Sequence, residues 1–200
     1  GRLTDQEAAS VTAIDISSKG IADLKGIEHF TALKTLNCSG NSLVTSTLDV
    51  SKNTALEVLN CSSNYNLTTL DLSKNTKLKT LDCSNNYEMT VLDVSANTAL
   101  QTLRCNNNHL TTLDVSKNTA LTELYCYCNS IRDEGMQTLI SSLHQNGGTL
   151  CAYATTNDQN EMTTTHVADA KTKKWQVKAW DGSNSVDYAG IFAVYINATN

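Results

Sequence analysis

The chain has 200 residues, 40% of them hydrophobic and 18% charged, with a formal net charge of −5, enough to bury a substantial core in one or two domains. That acidic balance gives no support to nucleic-acid binding, which relies on Lys and Arg to neutralise phosphates. No apolar run approaches the roughly 20 residues that a transmembrane helix needs. At the N-terminus, Gly1-Arg2-Leu3-Thr4-Asp5 lacks the apolar stretch of a secretory signal; a mature or recombinant chain would have lost one, so export stays open.

The elements follow in chain order. Thr4-Asp5-Gln6-Glu7 matches a capping box and predicts a short helix covering what comes next. Val11-Thr12-Ala13-Ile14-Asp15-Ile16-Ser17-Ser18-Lys19 is a degenerate first copy of a phrase that then recurs around Cys38, Cys61, Cys83, Cys105 and Cys126, at intervals of 23, 22, 22 and 21. Its first full form is Leu33-Lys34-Thr35-Leu36-Asn37-Cys38-Ser39-Gly40-Asn41, repeated at 56–64, 78–86, 100–108 and 121–129. Written generally this is L-x-x-L-x-C-x-x-N, the leucine-rich repeat pattern with cysteine in the third apolar slot.

In L-x-L the two apolar side chains point to one face of a strand and the residue between them to the other. One repeat cannot bury its own apolar face, whereas stacked repeats bury a continuous core, with each position forming a ladder at ~4.8 Å spacing. The asparagines 41, 64, 86, 108 and 129 fall where the chain turns inward, and their amides are expected to satisfy turn backbone groups. A second phrase, Leu48-Asp49-Val50-Ser51-Lys52-Asn53-Thr54, recurs at 70–76, 92–98 and 113–119 and predicts a short strand or extended turn on the back.

After Asn129 the style changes. Met136 to Leu143 and Met162 to Lys173 have helical spacing, Leu150 to Tyr153 and Trp175 to Trp180 read as strands, and Ile191 to Ile196 reads as a last strand. The expected architecture is an α/β solenoid with a repeat of about 22 residues, a parallel concave sheet, short back strands and a helix-strand cap. Residues 1–30 form the N-terminal cap and degenerate repeat, 31–131 the repeats, and 132–200 the capping region of one continuous solenoid.

The phrases FTALKTLNCSGN, LDVSKNTALTELYC and LISSLHQNGGTL resemble exported leucine-rich repeat proteins of Gram-negative gut anaerobes, and the helical end is similar to ribonuclease-inhibitor-type repeats. The resemblance covers nearly the whole chain. It implies a cell-surface or periplasmic location and a binding role, with no catalytic residues to transfer.

Several ladders invite a chemical role. The cysteines occupy an inward apolar slot, where Ile16 stands in the first repeat, without a C-x-x-C pair or flanking histidine to supply zinc geometry, so they read as core. Stacked carboxylates at Asp49, Asp71, Asp93 and Asp114 suggest calcium, yet Lys52, Lys74 and Lys117 follow three residues later, and alternating charge on a solvated edge is the simpler account. His29, His109, His144 and His166 have no nucleophile or carboxylate at a motif spacing, which argues against an enzyme; no cofactor or metal is expected.

The open strand face is more informative. Counting the first leucine of each repeat as one, position five runs Asp15, Asn37, Asn60, Asp82, Arg104, Tyr125, and position seven runs Ser17, Ser39, Ser62, Ser84, Asn106, Tyr127. Extending this register through Leu150 and Ala152, then Val177 and Ala179, places Tyr153, Lys178 and Trp180 on the same face. Tyr127, Tyr153 and Trp180 are thus expected as a consecutive aromatic row flanked by Arg104, Tyr125 and Lys178, a surface for a protein, peptide or glycan ligand. The bland alternative packs Tyr125 and Tyr127 beneath the cap. Cys128 and Cys151 are expected to be free, and the chain to be a monomer.

Overall fold

The computed structural model describes residues 4–41, 46–156 and 158–190. Thr4 caps a single-turn helix, α1 (Asp5–Ala8), with the reciprocal Thr4–Glu7 hydrogen bonds of a capping box. Three-residue strands then recur at the repeat period: β1 (Ala13–Asp15), β2 (Thr35–Asn37), β4 (Val58–Asn60), β6 (Thr80–Asp82), β7 (Thr102–Arg104) and β8 (Glu123–Tyr125). Between them on the back lie β3 (Thr47–Leu48) and β5 (Thr69–Leu70), which pair with each other, while the equivalent segments of later repeats, 91–92 and 112–113, form no strand.

The chain continues as α2 (Asp133–Ser142), β9 (Gly148–Ala154), α3 (Thr164–Thr172), β10 (Trp175–Trp180) and β11 (Ser185–Asp187). One nine-stranded sheet, ordered β1-β2-β4-β6-β7-β8-β9-β10-β11, spans the molecule, parallel until β11 returns antiparallel along β10. This is a leucine-rich repeat α/β solenoid. The expected strand at 191–196 lies outside the described residues.

Register equals repeat phase. Leu36, Leu59, Leu81, Leu103, Leu124 and Leu150 stand side by side across β2, β4, β6, β7, β8 and β9, all with no solvent exposure. With the first-slot leucines and the cysteine ladder they form a single buried cluster that runs from Ile27 to Val177. Burial pushes the Cys38 thiol up to about 12 and raises those of Cys61, Cys83, Cys105 and Cys126 well above the ordinary range, so these five cysteines pack as small hydrophobes.

Two asparagine ladders hold the turns. Asn86 Nδ2 donates to the carbonyls of Cys83, at 2.9 Å, and of Cys61 one repeat earlier, at 3.3 Å, while its Oδ1 accepts the Asn64 N–H at 2.8 Å. Asn108 and Asn129 repeat the pattern. The loop after β9 is longer, and there Asn160 takes the role, donating to the carbonyls of Cys126 and Ala152. On the back, Asn75, Asn97 and Asn118 each donate to two carbonyls of the preceding repeat. Backbone that would be buried without partners is thereby satisfied.

In the terminal region, helices replace the back turns. Lys173 closes the C-terminus of α2 by donating to the carbonyls of Ile140, Ser141 and Leu143 at 3.0, 2.6 and 2.8 Å. Trp175, the largest fully buried side chain, donates from Nε1 to the His144 carbonyl at 3.0 Å. Its ring needs Gly148 opposite, because a Cβ there would lie 2.9 Å from the indole and 2.6 Å from the Thr122 carbonyl.

Candidate functional site on the concave face

The concave face divides into two chemistries. From β1 to β6, position five accepts from position seven of its own repeat. Asp15 Oδ1 accepts the Ser17 N–H and hydroxyl at 2.9 and 2.7 Å, Asp82 does the same for Ser84 at 3.1 and 2.6 Å, and Asn37–Ser39 and Asn60–Ser62 fill the ranks between. Beside this row Glu57 bridges Lys34 and Lys79 at 3.7 and 2.6 Å. This half spends its polar groups on itself.

At β7 the pairing stops. The Arg104 guanidinium lies 4.9 Å over the Tyr125 ring and 3.8 Å from Glu123, with all three partly exposed. Tyr127 and Trp180 stack at 5.5 Å between centroids with their planes 5° apart, although Tyr127 follows β8, Trp180 ends β10, and β9 lies between those strands. Lys178, next to Trp180, is hydrogen-bonded to Asp187 of β11 at 2.6 Å. Five of the six residues singled out in the sequence, Arg104, Tyr125, Tyr127, Lys178 and Trp180, therefore meet on this face.

Tyr153 does not join them, which corrects the expected aromatic row. A bulge at Ala152 shifts the register, so that Lys178 pairs with Cys151 but Ala179 pairs with Tyr153, and Trp180 with Ala154. One extra residue turns Tyr153 to the face of Val177 and Ala179. There its ring stacks on Tyr188 at 4.7 Å, and the Tyr188 hydroxyl donates to the Met162 carbonyl ahead of α3. The same slip sets the small Ala154, rather than a ring, opposite Trp180. Asp158 holds the bulge, accepting the N–H groups of Ala154 and Asn160.

Cys151 lies on the strand between the two that flank this stack. It occupies an open-face position between Tyr125 and Lys178, yet has no solvent exposure. Burial pushes its thiol up to about 12, and the half-buried Tyr127 hydroxyl to about 12 as well. Cys128, in the left-handed turn that Ser63, Asn85 and Asn107 adopt in earlier repeats, has its thiol raised to about 11 by burial. Both cysteines are free thiols.

On the back, the aspartate ladder is structural. Asp49, Asp71, Asp93 and Asp114 each accept the N–H two residues on, from Ser51, Ser73, Ser95 and Ser116, and these hydrogen bonds hold their carboxyls below the usual range. Among the described residues no three His, Cys, Asp or Glu side chains are grouped to hold a metal, and no helix is long and apolar enough to cross a membrane. The bulge, the Lys178–Asp187 pair and the Tyr188 stack were missed in the sequence. The Gly182-Ser183-Asn184 stretch was the available hairpin signal, with the Asp187 partner close behind it.

No protein-family model and no curated protein sequence matches the chain. Solved structures do. The functional domain of InlJ from Listeria monocytogenes, described as including a cysteine ladder, is 29% identical, with a TM-score of 0.60 over 85% of this chain and 39% of that one. An internalin, inlF, from the same organism is 22% identical, with a TM-score of 0.59 over 88% of this chain and 50% of that one. The leucine-rich repeat domain of APL1B, 19% identical with a TM-score of 0.52, shares the fold. The chain thus spans about half or less of these neighbours' lengths. Its structural neighbours are leucine-rich repeat proteins, internalins among them.

Proposed function

We propose that the chain is a non-enzymatic, exported recognition module, displayed at the cell surface or in the periplasm, that binds a protein or peptide on the concave face over its last repeats. The observation that carries this reading is the change of chemistry at β7. Large aromatic and cationic side chains at Arg104, Tyr125, Tyr127, Lys178 and Trp180 replace a row that is hydrogen-bonded to itself. Tyr, Trp and Arg are the residues that dominate binding hot spots, because they bury wide apolar area while keeping a polar tip. The resemblance of the repeat phrases to exported proteins of Gram-negative gut anaerobes supports the location, and the leucine-rich repeat neighbours support an interaction role. The ribonuclease-inhibitor-like style of the cap belongs to the same reading.

Selection of a displayed peptide library against the immobilised chain tests the proposal. Enriched peptides should bind the parent and lose affinity by about tenfold or more, some 1.4 kcal/mol, when Tyr127 and Trp180 are both changed to alanine. Peptides that bind the double variant as well as the parent would refute it.

A further inference from the structure

A second surface lies away from the strands, on the edge where each repeat leaves its ladder asparagine. The next residue in successive repeats is Tyr65, Tyr87, His109 and Ser130. Tyr65 and Tyr87 stack at 5.6 Å with their planes 9° apart, yet remain 57% and 47% exposed, the largest exposed side chains among the described residues' apolar set. The concave site does not use them. Buried apolar contact cannot explain two rings so open to water.

Beyond Tyr87, toward the following repeats, opens a groove of about 220 Å³ lined by Tyr87, Asn107, His109, Cys128, Ser130 and Gln159. The imidazole of His109 sits against the Tyr87 carbonyl and fixes that wall. No Asp, Glu, Lys or Arg lines the groove. It is smaller than the ~300–1,000 Å³ of pockets that enclose drug-sized ligands.

We propose that this groove is a binding site for one ring of a neutral saccharide. A sugar offers a C–H face that packs on an aromatic ring and hydroxyls that both donate and accept. Tyr87 supplies the ring, braced from the other side by Tyr65. Asn107 and Gln159 carry amides able to donate and accept at once, and Ser130 adds a hydroxyl. A charged ligand meets no Asp, Glu, Lys or Arg among the lining residues, and a peptide finds no strand among them to pair with. The site is separate from the concave face and independent of the reading given to it.

Electrophoresis of the native chain through gels containing neutral glucan, mannan, galactan or xylan reads this out, with heparin as the anionic control. At least one neutral polysaccharide should retard the chain. Tyr87→Ala and Gln159→Ala should each weaken that retardation by about tenfold or more, Tyr87→Phe should keep most of it, and the Tyr127→Ala/Trp180→Ala pair should leave it unchanged. Circular dichroism melts of each variant separate lost binding from lost fold, and the conservative Tyr87→Phe keeps the ring in place. Retardation by none of the neutral polymers, retardation by heparin alone, or full retardation of a folded Tyr87→Ala variant would overturn the proposal. So would loss of retardation in the concave pair.

Discussion

The two halves of the concave sheet share one continuous sheet and differ in what their outward positions do. From β1 to β6 the Asp or Asn at position five is consumed by the serine two residues on, and Glu57 by two lysines. From β7 onward Arg104 lies over Tyr125 beside Glu123, and Tyr127 stacks on Trp180. Repetition favours positions that satisfy themselves, because each rank must be compatible with the next. Where the repeat gives way to a bulged strand and a hairpin, large side chains are freed. The lesson is that a solenoid's recognition surface is to be sought where its ladder stops being self-sufficient.

The largest expected effect comes from removing the region that breaks the repeat. A chain ending at residue 131 leaves β8 as a bare edge with Leu124 and Cys126 uncovered on the side now shielded by β9. It should aggregate or lose its cooperative melt, as followed by size-exclusion chromatography and thermal denaturation. A monomeric 1–131 fragment melting as sharply as the parent would show that the terminal region is not a cap.

Within the regular half, Asn86→Ala removes two hydrogen bonds to carbonyls and one from an N–H, all buried. Its cost in urea denaturation should be about 3 kcal/mol or more. Cys83→Ala, which removes only a sulfur from the core, should cost roughly 1 kcal/mol or somewhat more. Equal costs would mean that apolar packing, not the amide ladder, holds the turns.

A smaller effect on stability, about 1 kcal/mol, is expected for Trp180→Ala, since an aromatic pair is worth ~0.5–1.5 kcal/mol beyond its area. Its sharper signature is chemical. Opening the Tyr127–Trp180 stack should expose Cys151, so that a thiol reagent labels it at least tenfold faster than in the parent, while Cys83 stays protected. Unchanged labelling of Cys151 would show that something other than the rings seals it.

How much of this was legible in the sequence follows from periodicity. The ladders at Leu36, Cys38, Asn41 and their equivalents, the inward cysteines, and the helices and strands of the terminal region could all be read, because the same spacing recurs or the apolar pattern is strong. The open-face positions were legible through β8 for the same reason, and again at Lys178 and Trp180 on β10. The reading failed at Tyr153, where extending a period-two alternation through Ala152 assumed a regular strand. A single bulge inverts every later side chain of its strand, and nothing in Leu150-Cys151-Ala152-Tyr153-Ala154 marks one. The signal lay in the loop beyond, where Asp158 and Asn160 arrive late to take the hydrogen bonds that a tight turn would have made for itself.

The division of the concave face is tested most directly by the affinity of one selected peptide for two double variants. Ser62→Ala/Ser84→Ala disturbs only the self-paired half, and Tyr127→Ala/Trp180→Ala only the aromatic half. Isothermal titration should give the first variant the parent's affinity, within about twofold, and the second a loss of about tenfold or more. Equal losses, or a larger loss in the serine variant, would contradict the account.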